Sequence, residues 1–426
     1  MKSIDAQKLV EWRRTFHQFP EPGWEEFVTT GTLIPLLREM GLEVKAGPAI
    51  ICRESILGRN VKQVEAAIAT ARQHGISQDL LDEMDGLTGC MAILDSGRPG
   101  PTFGFRFDID CVYVQESCEA SHLPHQQGFQ SRRSGLMHAC GHDGHTAIGL
   151  GVAAWLIANR DALRGKFKLI FQPAEEGVRG ARPICDSGVL DDVDYFMALH
   201  LGCNLKKGQV LLDPQDFLCT TKLDIHFQGE PAHAGSDPEK GHNALAGACL
   251  AASQILAAPR HSAGMSRVNI GVLRAGEGRN VIPASAEMQI EVRGQSAAIA
   301  EYLVDYVDRC VQGAALIHQL SASTVKTGEA VDFRNDRQMI DVLQQVIDRH
   351  PELSSVSAST AGSEDASLMV RRVQEHGGKA IYFIVGADQP AGHHKAKFDI
   401  AEEALSIGLT LFSEGLQTIL AAPDQH

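Results

Sequence analysis

Two hydrophobic patterns alternate along most of the chain. One is a short apolar run typical of a buried parallel strand, and the other is a longer segment with apolar residues at helical spacing. The strand-like runs are PTFGFRF (101–107), FKLIF (167–171), YFMALH (195–200) and KAIYFIV (379–385). The helical segments include TAIGLGVAAWLIANRDAL (146–163) and DIAEEALSIGLTLFSEGLQTILAA (399–422). Their alternation predicts an α/β domain with a mixed, mostly parallel sheet and helices on both faces.

The pattern changes between about Thr220 and Lys326. Four segments alternate polar and apolar residues as strands do: TTKLDIHFQGE, SRVNIGVLRAG, SAEMQIEVRG and LSASTVKTG. Two segments between them are helical: NALAGACLAASQILAA and AAIAEYLVDYVDRCVQGAAL. This β-α-β-β-α-β order predicts a ferredoxin-like α+β domain inserted into the larger one. We therefore expect a discontinuous catalytic domain, 1–218 and 328–426, around an inserted domain at 219–327.

Residues 51–90 form a third distinctive segment. Apolar residues recur there at helical spacing, at Val61, Val64, Ala67, Ile68 and Ala71 and again at Leu80, Leu81, Met84 and Leu87. This spacing predicts a helical insertion. Packing is the favoured interpretation, because periodic apolar residues alone indicate a core. A role in shaping a functional site is the alternative.

Length and charge limit the function classes. A chain of 426 residues exceeds the roughly 250–300 residues at which one core stops growing, so two domains are expected. With 39 basic and 53 acidic side chains the net charge is −14, which argues against nucleic acid or an anionic membrane as the main partner. An anionic substrate would therefore have to be held by specific arginines.

The cysteines and apolar segments indicate a compartment. The N-terminus has no apolar stretch of signal-peptide length, and no later segment reaches about 18 uninterrupted apolar residues. The ten cysteines are scattered from Cys52 to Cys310 without a CxxC pair, which suits a reducing environment. We expect a cytoplasmic protein.

Polar residues follow each predicted parallel strand where that strand ends. They are Asp108 and Asp110, then Glu175 and Glu176, then His200, and finally His393 and His394. In an open α/β sheet, sites form beyond the carboxyl ends of the strands. Four strand ends therefore deliver carboxylates and imidazoles to one edge, together with the loop MHACGHDGHT (137–146).

This loop concentrates three histidines, a cysteine and an aspartate in ten residues. Cys140 and His142 share a face if the backbone is extended, and Gly141 permits a tight path. A thiolate, imidazoles and carboxylates from distant segments match a two-metal hydrolytic centre. A nucleophilic Cys140 is the main alternative, but it would need a positioned base and an oxyanion hole, and a histidine two residues away seldom has that geometry.

Five carboxylates in or near these motifs have specific expected roles. Glu175 and Glu176 point in different directions, so one can bind metal while the other stays free as a general base; a solvated acidic pair is the alternative. Asp143 is expected to cap the helix after the loop or to support a ligand. Asp399 and Glu402, three residues apart, predict a capping box for the last helix.

The motifs, in this order, resemble a known family. They are HACGHDGHT, FQPAEEG, ALHLG, PAHAG, GRNVIPASAEMQIEVR, GSEDA and GHHKAKF. They are similar to the two-metal amidohydrolases of the aminoacylase/carboxypeptidase superfamily. Within it they resemble the branch of hippurate hydrolases, auxin-conjugate amidohydrolases and p-aminobenzoyl-glutamate hydrolases. The resemblance covers nearly the whole chain.

The resemblance implies a set of site residues. The implied metal ligands are Cys140, His142, Glu176, His200 and His394. His394 is preferred to His393 because it lies four residues before Phe398, as the family's H-x-x-x-F spacing requires. Glu175 takes the general-base role, and Asp110 is expected to orient a ligand histidine. Many relatives continue this aspartate as D-A-L-P, whereas this chain has Asp110 followed by Cys111 and Val112, so the local loop and the substrate fit should differ.

The inserted domain resembles the family's dimerisation lid. His233 is implied to reach the active site of the other protomer, where it would stabilise the oxyanion. Asn280 and Arg293 match positions that line the substrate, where Arg293 would hold a carboxylate; a structural strand arginine is the alternative. The implied partner is a second copy or a homologous subunit.

The implied activity is metal-dependent hydrolysis of an N-acyl amino acid amide. The preferred substrate is p-aminobenzoyl-glutamate, cleaved to p-aminobenzoate and glutamate, a step of folate catabolism. The alternatives are other N-acyl amino acids as substrates, a regulatory binding module, or a catalytically silent metal-binding subunit. The thiolate favours zinc, but the branch is associated with manganese, so we expect two Mn²⁺ ions with Zn²⁺ as the alternative.

Overall fold

The computed structural model describes residues 2–357 and 359–422, which separate into two compact units. The large unit comprises Met1–Gln215, Phe333–Thr360 and Asp365–His426. The small unit comprises Asp216–Asp332 and Ala361–Glu364. The large unit is thus built from three stretches of chain, and nearly all of the small unit is one insertion.

The strands and helices of both units are numbered in chain order. The strands are β1 (Glu43–Ala46), β2 (Cys90–Asp95), β3 (Thr102–Asp108), β4 (Lys166–Gln172), β5 (Tyr195–Leu201), β6 (Gln209–Leu211), β7 (Gln215–Phe217), β8 (Cys219–Gln228), β9 (Ser266–Ala275), β10 (Ser285–Gly294), β11 (Ser321–Ala330), β12 (Ser354–Ser355), β13 (Ser359–Gly362) and β14 (Lys379–Val385). The helices are α1 (Ala6–His17), α2 (Phe27–Glu39), α3 (Val61–Gln73), α4 (Gln78–Met84), α5 (Leu123–Gln126), α6 (His142–Ala158), α7 (Ala181–Asp186), α8 (Ala244–Leu256), α9 (Ala297–His318), α10 (Arg337–Arg349), α11 (Ala366–Glu375) and α12 (Glu403–Ala421).

The large unit is built on one sheet with the strand order β1-β2-β4-β3-β5-β14-β6-β12. The four predicted strands are its parallel centre, with β4, β3, β5 and β14 side by side. They are buried on both faces, which is why they read as continuous apolar runs. Strands β2 and β6 pair antiparallel to this centre. The predicted mixed, mostly parallel α/β fold is confirmed, and the carboxyl ends of its central strands share one edge.

Helix α6 crosses the sheet with nearly all of its residues buried. Gly149 allows this close approach, because a Cβ there would lie 2.7 Å from ring atoms of both Phe107 and Phe171. Helix α12 is long and apolar enough to span a membrane by length and composition, but more than half of that stretch is buried inside the unit. It packs as a core helix.

The two predicted helix caps are wrong. Helix α6 begins at His142, four residues before the predicted start, and its N-cap is Gly141 with φ 89°. Helix α12 begins at Glu403, and its N-cap residue, Glu402, makes no side-chain capping bond. The side chains expected to cap these helices bind instead to an arginine from the first helix, as described below.

The 51–90 insertion contains the predicted helices as α3 and α4. The side chains Val64, Ala67, Ala71, Leu81 and Met84 are buried. The predicted apolar stripe is therefore a packing surface, and α3 contacts α2.

The small unit is a four-stranded antiparallel sheet with the order β11-β8-β10-β9. Helices α8 and α9 pack against it around Phe227, Met288 and Val307. Its order along the chain, β8-α8-β9-β10-α9-β11, is the predicted ferredoxin-like order.

Candidate metal centre

The carboxyl edge of the large sheet brings most of the predicted site residues together. Potential ligand atoms lie within 4.8 Å of one another in three overlapping groups: Cys140, Glu176 and His394; His142, Glu175 and Glu176; and Cys140, His200 and His393. Every predicted ligand belongs to at least one group. Cys140 and Glu176 each belong to two of these groups, which therefore overlap.

His142 is oriented by the aspartate that follows β3. Its Nδ1 lies 3.0 Å from the Asp110 carbonyl and 3.2 Å from Asp110 Oδ1. These acceptors hold a proton on Nδ1, so in the neutral ring the lone pair is on Nε2. Nε2 is buried and has no hydrogen-bond partner in the described part of the chain. The carboxylate oxygens Asp108 Oδ2 and Glu175 Oε2 lie 3.7 and 3.9 Å from it.

Asp110 holds two predicted ligands at once. While Oδ1 faces His142, Oδ2 accepts a hydrogen bond of 2.9 Å from the backbone N–H of Glu176. The aspartate therefore fixes the loop after β4 relative to the first turn of α6. This arrangement supports the predicted orienting role of Asp110.

His200, at the end of β5, presents its other nitrogen to the cysteine. Its Nδ1 lies 2.8 Å from the Leu201 carbonyl and donates to it. Its Nε2 lies 3.5 Å from Cys140 Sγ. Burial, together with the neighbouring histidines, holds the pKa of His200 well below its usual range. The ring is therefore neutral, with a lone pair available on Nε2.

The two adjacent histidines after β14 differ in their hydrogen bonds. His393 Nε2 accepts from the Cys203 N–H at 3.0 Å, so its proton lies on Nδ1, which faces Cys140 Sγ at 3.4 Å. His393 is therefore a donor to the sulfur. His394 Nε2 lies 3.0 Å from Glu176 Oε1, and its backbone N–H donates to the Ala139 carbonyl at 2.8 Å. These bonds favour His394 as the ligand.

The two remaining histidines of the loop differ from the predicted ligands, although His145 also forms a group with Asp108 and His142. His145 Nδ1 bonds Asp108 Oδ1 at 2.5 Å, and its Nε2 accepts from the Leu201 N–H at 2.9 Å. It therefore ties the end of β3 to the end of β5. His138 is buried with neither ring nitrogen bonded, and burial lowers its pKa to about 3.

The charge balance of the cluster fits a cation. Burial lowers the pKa of His142, but the carboxylates of Asp108 and Asp110 outweigh burial and raise it to about 10. Without a metal ion, these carboxylates favour a proton on Nε2, and a divalent cation would replace that proton on the same lone pair. Imidazole, carboxylate and cysteine sulfur donors around a buried nitrogen of this kind are the donor set of a divalent metal site.

The loops that carry these groups adopt strained backbone conformations. Ala174, Val178 and His394 have φ values of 53°, 58° and 60°, a region that non-glycine residues rarely occupy. Glu26, which sequence analysis missed, accepts the Ala174 N–H at 2.7 Å. Such strain persists only where surrounding contacts enforce it, and it is concentrated at functional sites.

A second buried polar network lies behind the loop and was also missed. We call it the Arg13 cluster: Arg13, His17, Glu116, Asp143, Asp399 and Glu402. Arg13 is fully buried and pairs with Asp143 at 3.0 Å, Asp399 at 2.5 Å and Glu402 at 3.3 Å. These are the carboxylates expected to cap α6 and α12. The spacing of Arg13 and His17 on one helix face was the available sequence signal.

The site residues predicted in the inserted domain lie in two places. His233 Nδ1 accepts from the N–H groups of Gly235 and Ser236, both at 3.1 Å, so its proton lies on the exposed Nε2. The Ala234 N–H donates to the Asn280 carbonyl at 3.0 Å, which keeps His233 and Asn280 together. Arg293 lies at the opposite end of β10 and bonds Glu291, roughly 30 Å away at the rise of an extended strand.

A model of peptidase family M20/M25/M40 matches residues 104–418. The chain belongs to this family. The predicted metal-dependent hydrolase of amide bonds is thereby confirmed at family level.

Three relatives within the family align over nearly their whole length. The chain is 46% identical to a p-aminobenzoyl-glutamate hydrolase subunit homolog of Haemophilus influenzae, over 98% of this chain and 100% of that one. It is 44% identical to a p-aminobenzoyl-glutamate hydrolase subunit of Escherichia coli, over 95% and 94%. It is 41% identical to indole-3-acetyl-aspartic acid hydrolase of Enterobacter agglomerans, over 94% and 93%. The predicted branch of the superfamily is confirmed.

Solved structures of the M20 family share the fold. An aminobenzoyl-glutamate utilization protein from Klebsiella pneumoniae matches with a TM-score of 0.83 at 37% identity, over 97% of this chain and 96% of that one. A Bacillus subtilis protein described as a dinuclear metal binding peptidase matches with a TM-score of 0.67 at 25% identity, over 97% and 98%.

Proposed function

We propose that this protein is a two-metal amidohydrolase that cleaves p-aminobenzoyl-glutamate to p-aminobenzoate and glutamate. The observation that carries the proposal is the set of overlapping donor groups beside the buried His142 Nε2, which has no hydrogen-bond partner among the described residues. The substrate is suggested by the names of the Haemophilus and Escherichia relatives. In this proposal Cys140, His142, Glu176, His200 and His394 hold the metals.

The bound ions would polarise the amide carbonyl and lower the pKa of a water molecule. Manganese is our proposal for their identity, with zinc as the alternative. The Bacillus relative described as dinuclear supports the number of ions. The hydrogen bonds of Asp110 to the His142 ring and the Glu176 backbone would keep these two ligands aligned.

Glu175 is the proposed general base. It is buried, and its Oε2 lies 3.9 Å from His142 Nε2, beside the ligands. The carboxylate takes a proton from water as the oxygen attacks the carbonyl carbon. It then gives that proton to the amide nitrogen as the C–N bond breaks, so glutamate leaves as an amine and p-aminobenzoate as an acid.

The inserted domain is proposed to complete the site in a dimer. His233 Nε2–H is an exposed donor suited to a developing oxyanion, and Asn280 is held next to it. Arg293 is proposed to bind a substrate carboxylate. Arg293 is separated from His233 and Asn280 by roughly 30 Å along the strand. The two ends of this domain would therefore contact different substrate molecules. That separation supports a homodimer, or a heterodimer with a homologous subunit, and the Escherichia relative is itself named as a subunit.

Two alternatives stay open within the family. Another N-acyl amino acid is one, because the Enterobacter relative is named for indole-3-acetyl-aspartate. A catalytically silent subunit is the other. We retain the proposals of a cytoplasmic protein and a step of folate catabolism.

The test is an assay of the purified chain with Mn²⁺ or Zn²⁺ against p-aminobenzoyl-glutamate, hippurate and indole-3-acetyl-aspartate. We expect the highest kcat/KM for p-aminobenzoyl-glutamate with Mn²⁺. A preference for either other substrate would refute the proposed substrate. Metal binding without turnover of any of them would indicate the silent subunit, which adding a homologous partner would check.

A further inference from the structure

The 51–90 insertion reaches the loop that carries Glu175 and Glu176. The Trp24 indole N–H donates to the Leu57 carbonyl at 2.8 Å. Next to it, Arg179 donates from Nη1 to the Gly58 carbonyl and from Nε to the Glu176 carbonyl, both at 2.9 Å. One guanidinium therefore connects the insertion to the backbone of a proposed metal ligand.

The loop around Gly23 is shaped to seat this guanidinium. A Cβ at Gly23 would lie 2.5 Å from Arg179 Nη2 and 2.8 Å from Ala174 Cα. Any larger residue would therefore push against both the guanidinium and the ligand loop. Since Gly23 has no such atom, the Arg179 fork lies directly against this backbone.

The charge of Arg179 is not used in an ion pair. Among the described residues it has no carboxylate within 4.0 Å, and both of its hydrogen bonds go to backbone carbonyls. An arginine in a chain with net charge −14 would have many acidic partners available. The rigid planar fork, which lysine lacks, is the property used here.

The peptide groups around Glu176 are held at two points. Asp110 Oδ2 accepts its N–H at 2.9 Å, and Arg179 Nε donates to its carbonyl at 2.9 Å. On either side, Ala174 and Val178 have positive φ, a backbone conformation that is strained for residues other than glycine. The two bonds hold the loop in this conformation. They also fix the position of the Glu176 backbone from which its side chain extends.

We propose that Arg179 is a positioning residue for the ligand Glu176 and that Leu57–Gly58 of the insertion is its outer anchor. The insertion is then a structural part of the metal centre as well as a packing surface. This inference rests on the proposed role of Glu176 as a ligand.

The experiment measures metal binding to Arg179→Gln and Arg179→Lys. Each variant is prepared without metal and titrated with Mn²⁺ by calorimetry, and the absorption of its Co²⁺ form is recorded. Changes to groups that orient ligands typically weaken metal binding about 10–100-fold, and we expect that loss for Arg179→Gln. Arg179→Lys keeps the charge but not the fork, so it should not restore the affinity. The matched control, Arg53→Gln, removes an arginine elsewhere in the insertion that donates to the Asp85 carbonyl at 2.8 Å, and it should bind metal like the wild type.

Two further variants alter residues next to the contact between Arg179 and the insertion. Gly23→Ala should displace the guanidinium and reproduce the loss of affinity. Trp24→Phe removes the bond to Leu57 together with part of a buried ring, so it should weaken binding a few-fold and keeps the test available if Arg179→Gln does not fold. An unchanged affinity and Co²⁺ spectrum in Arg179→Gln, with a lower Tm of the metal-free protein, would assign Arg179 a merely structural role and overturn the inference. Wild-type protein that binds metal without hydrolysing p-aminobenzoyl-glutamate would refute the proposed substrate and leave this inference standing.

Discussion

His142 and Asp143 are neighbours in the chain but belong to two different buried polar clusters. Asp143 belongs to the Arg13 cluster, where the buried guanidinium pairs with three carboxylates. His142 belongs to the metal centre, where Asp108 pairs with the buried Arg106 but the His142 Nε2 beside it has no hydrogen-bond partner among the described residues. The comparison teaches that buried charge alone does not indicate a site. A site is indicated where the chain leaves a buried ligand atom without a hydrogen-bond partner of its own.

The largest expected effect is on catalysis. Replacing Glu175 with Ala removes the proposed base, and general bases contribute about 10²–10⁴-fold to rate. We expect kcat to fall by that factor while the protein still binds metal, as measured by turnover assays and metal analysis. Wild-type-like turnover would remove Glu175 from the mechanism.

In the Arg13 cluster the expected effect is on stability. Arg13→Met leaves Asp143 and Asp399 buried without their cation, and breaking a buried pair in this way costs about 3–5 kcal/mol. Urea unfolding should show that loss in the free energy of unfolding. The adjacent Arg14→Met is the control, because Arg14 is partly exposed and pairs only at the edge of the cluster, with Glu402. Equal losses of unfolding free energy in the two variants would contradict the prediction that the buried Arg13 guanidinium stabilises the fold more than Arg14 does.

The same cluster predicts a loss of stability at alkaline pH. Burial lowers the pKa of His17, but Asp143 and Glu116 outweigh burial and raise it to about 9. Because this folded-state pKa is above the ordinary value of 6.5, the stabilisation is complete below pH 6.5 and disappears as the pH rises through about 9. The shift corresponds to about 3 kcal/mol. In His17→Gln, the unfolding free energy should change less with pH over this range. An unchanged curve would show that His17 does not cause the loss of stability at alkaline pH.

The metal centre should respond to the ion and not to the state of the Arg13 cluster. Adding Mn²⁺ to metal-free protein at a hundred times its Kd should stabilise the fold by about 2.7 kcal/mol. Thermal or urea unfolding with and without the ion measures this increment. The increment should be similar in Arg13→Met, and its disappearance there would show that the two clusters are one unit.

The sequence predicts the structure correctly where a local pattern has only one physical cause. Strands β3, β4, β5 and β14 are apolar on both faces because they are buried on both, and sites lie beyond their carboxyl ends, so the ligand edge was predictable. The caps were not predictable. Asp143 and Asp399 have the local signal of capping residues, but the cation that binds them comes from a helix more than a hundred residues away in the chain. Choosing His394 over His393 needed family spacing, because the distinguishing bond from Cys203 arises only in the folded loop.

The register of β14 beside β5 pairs Lys379 with Tyr195, so the whole small unit is synthesised between these two strands. While the ribosome makes residues 202–393, the growing chain already contains Cys140, His142, Glu176 and His200 but not His394. Contacts of such long sequence separation form slowly and late. The last proposed ligand therefore joins the others only after the small unit has emerged, so we expect full metal occupancy in the finished chain and not in the nascent one.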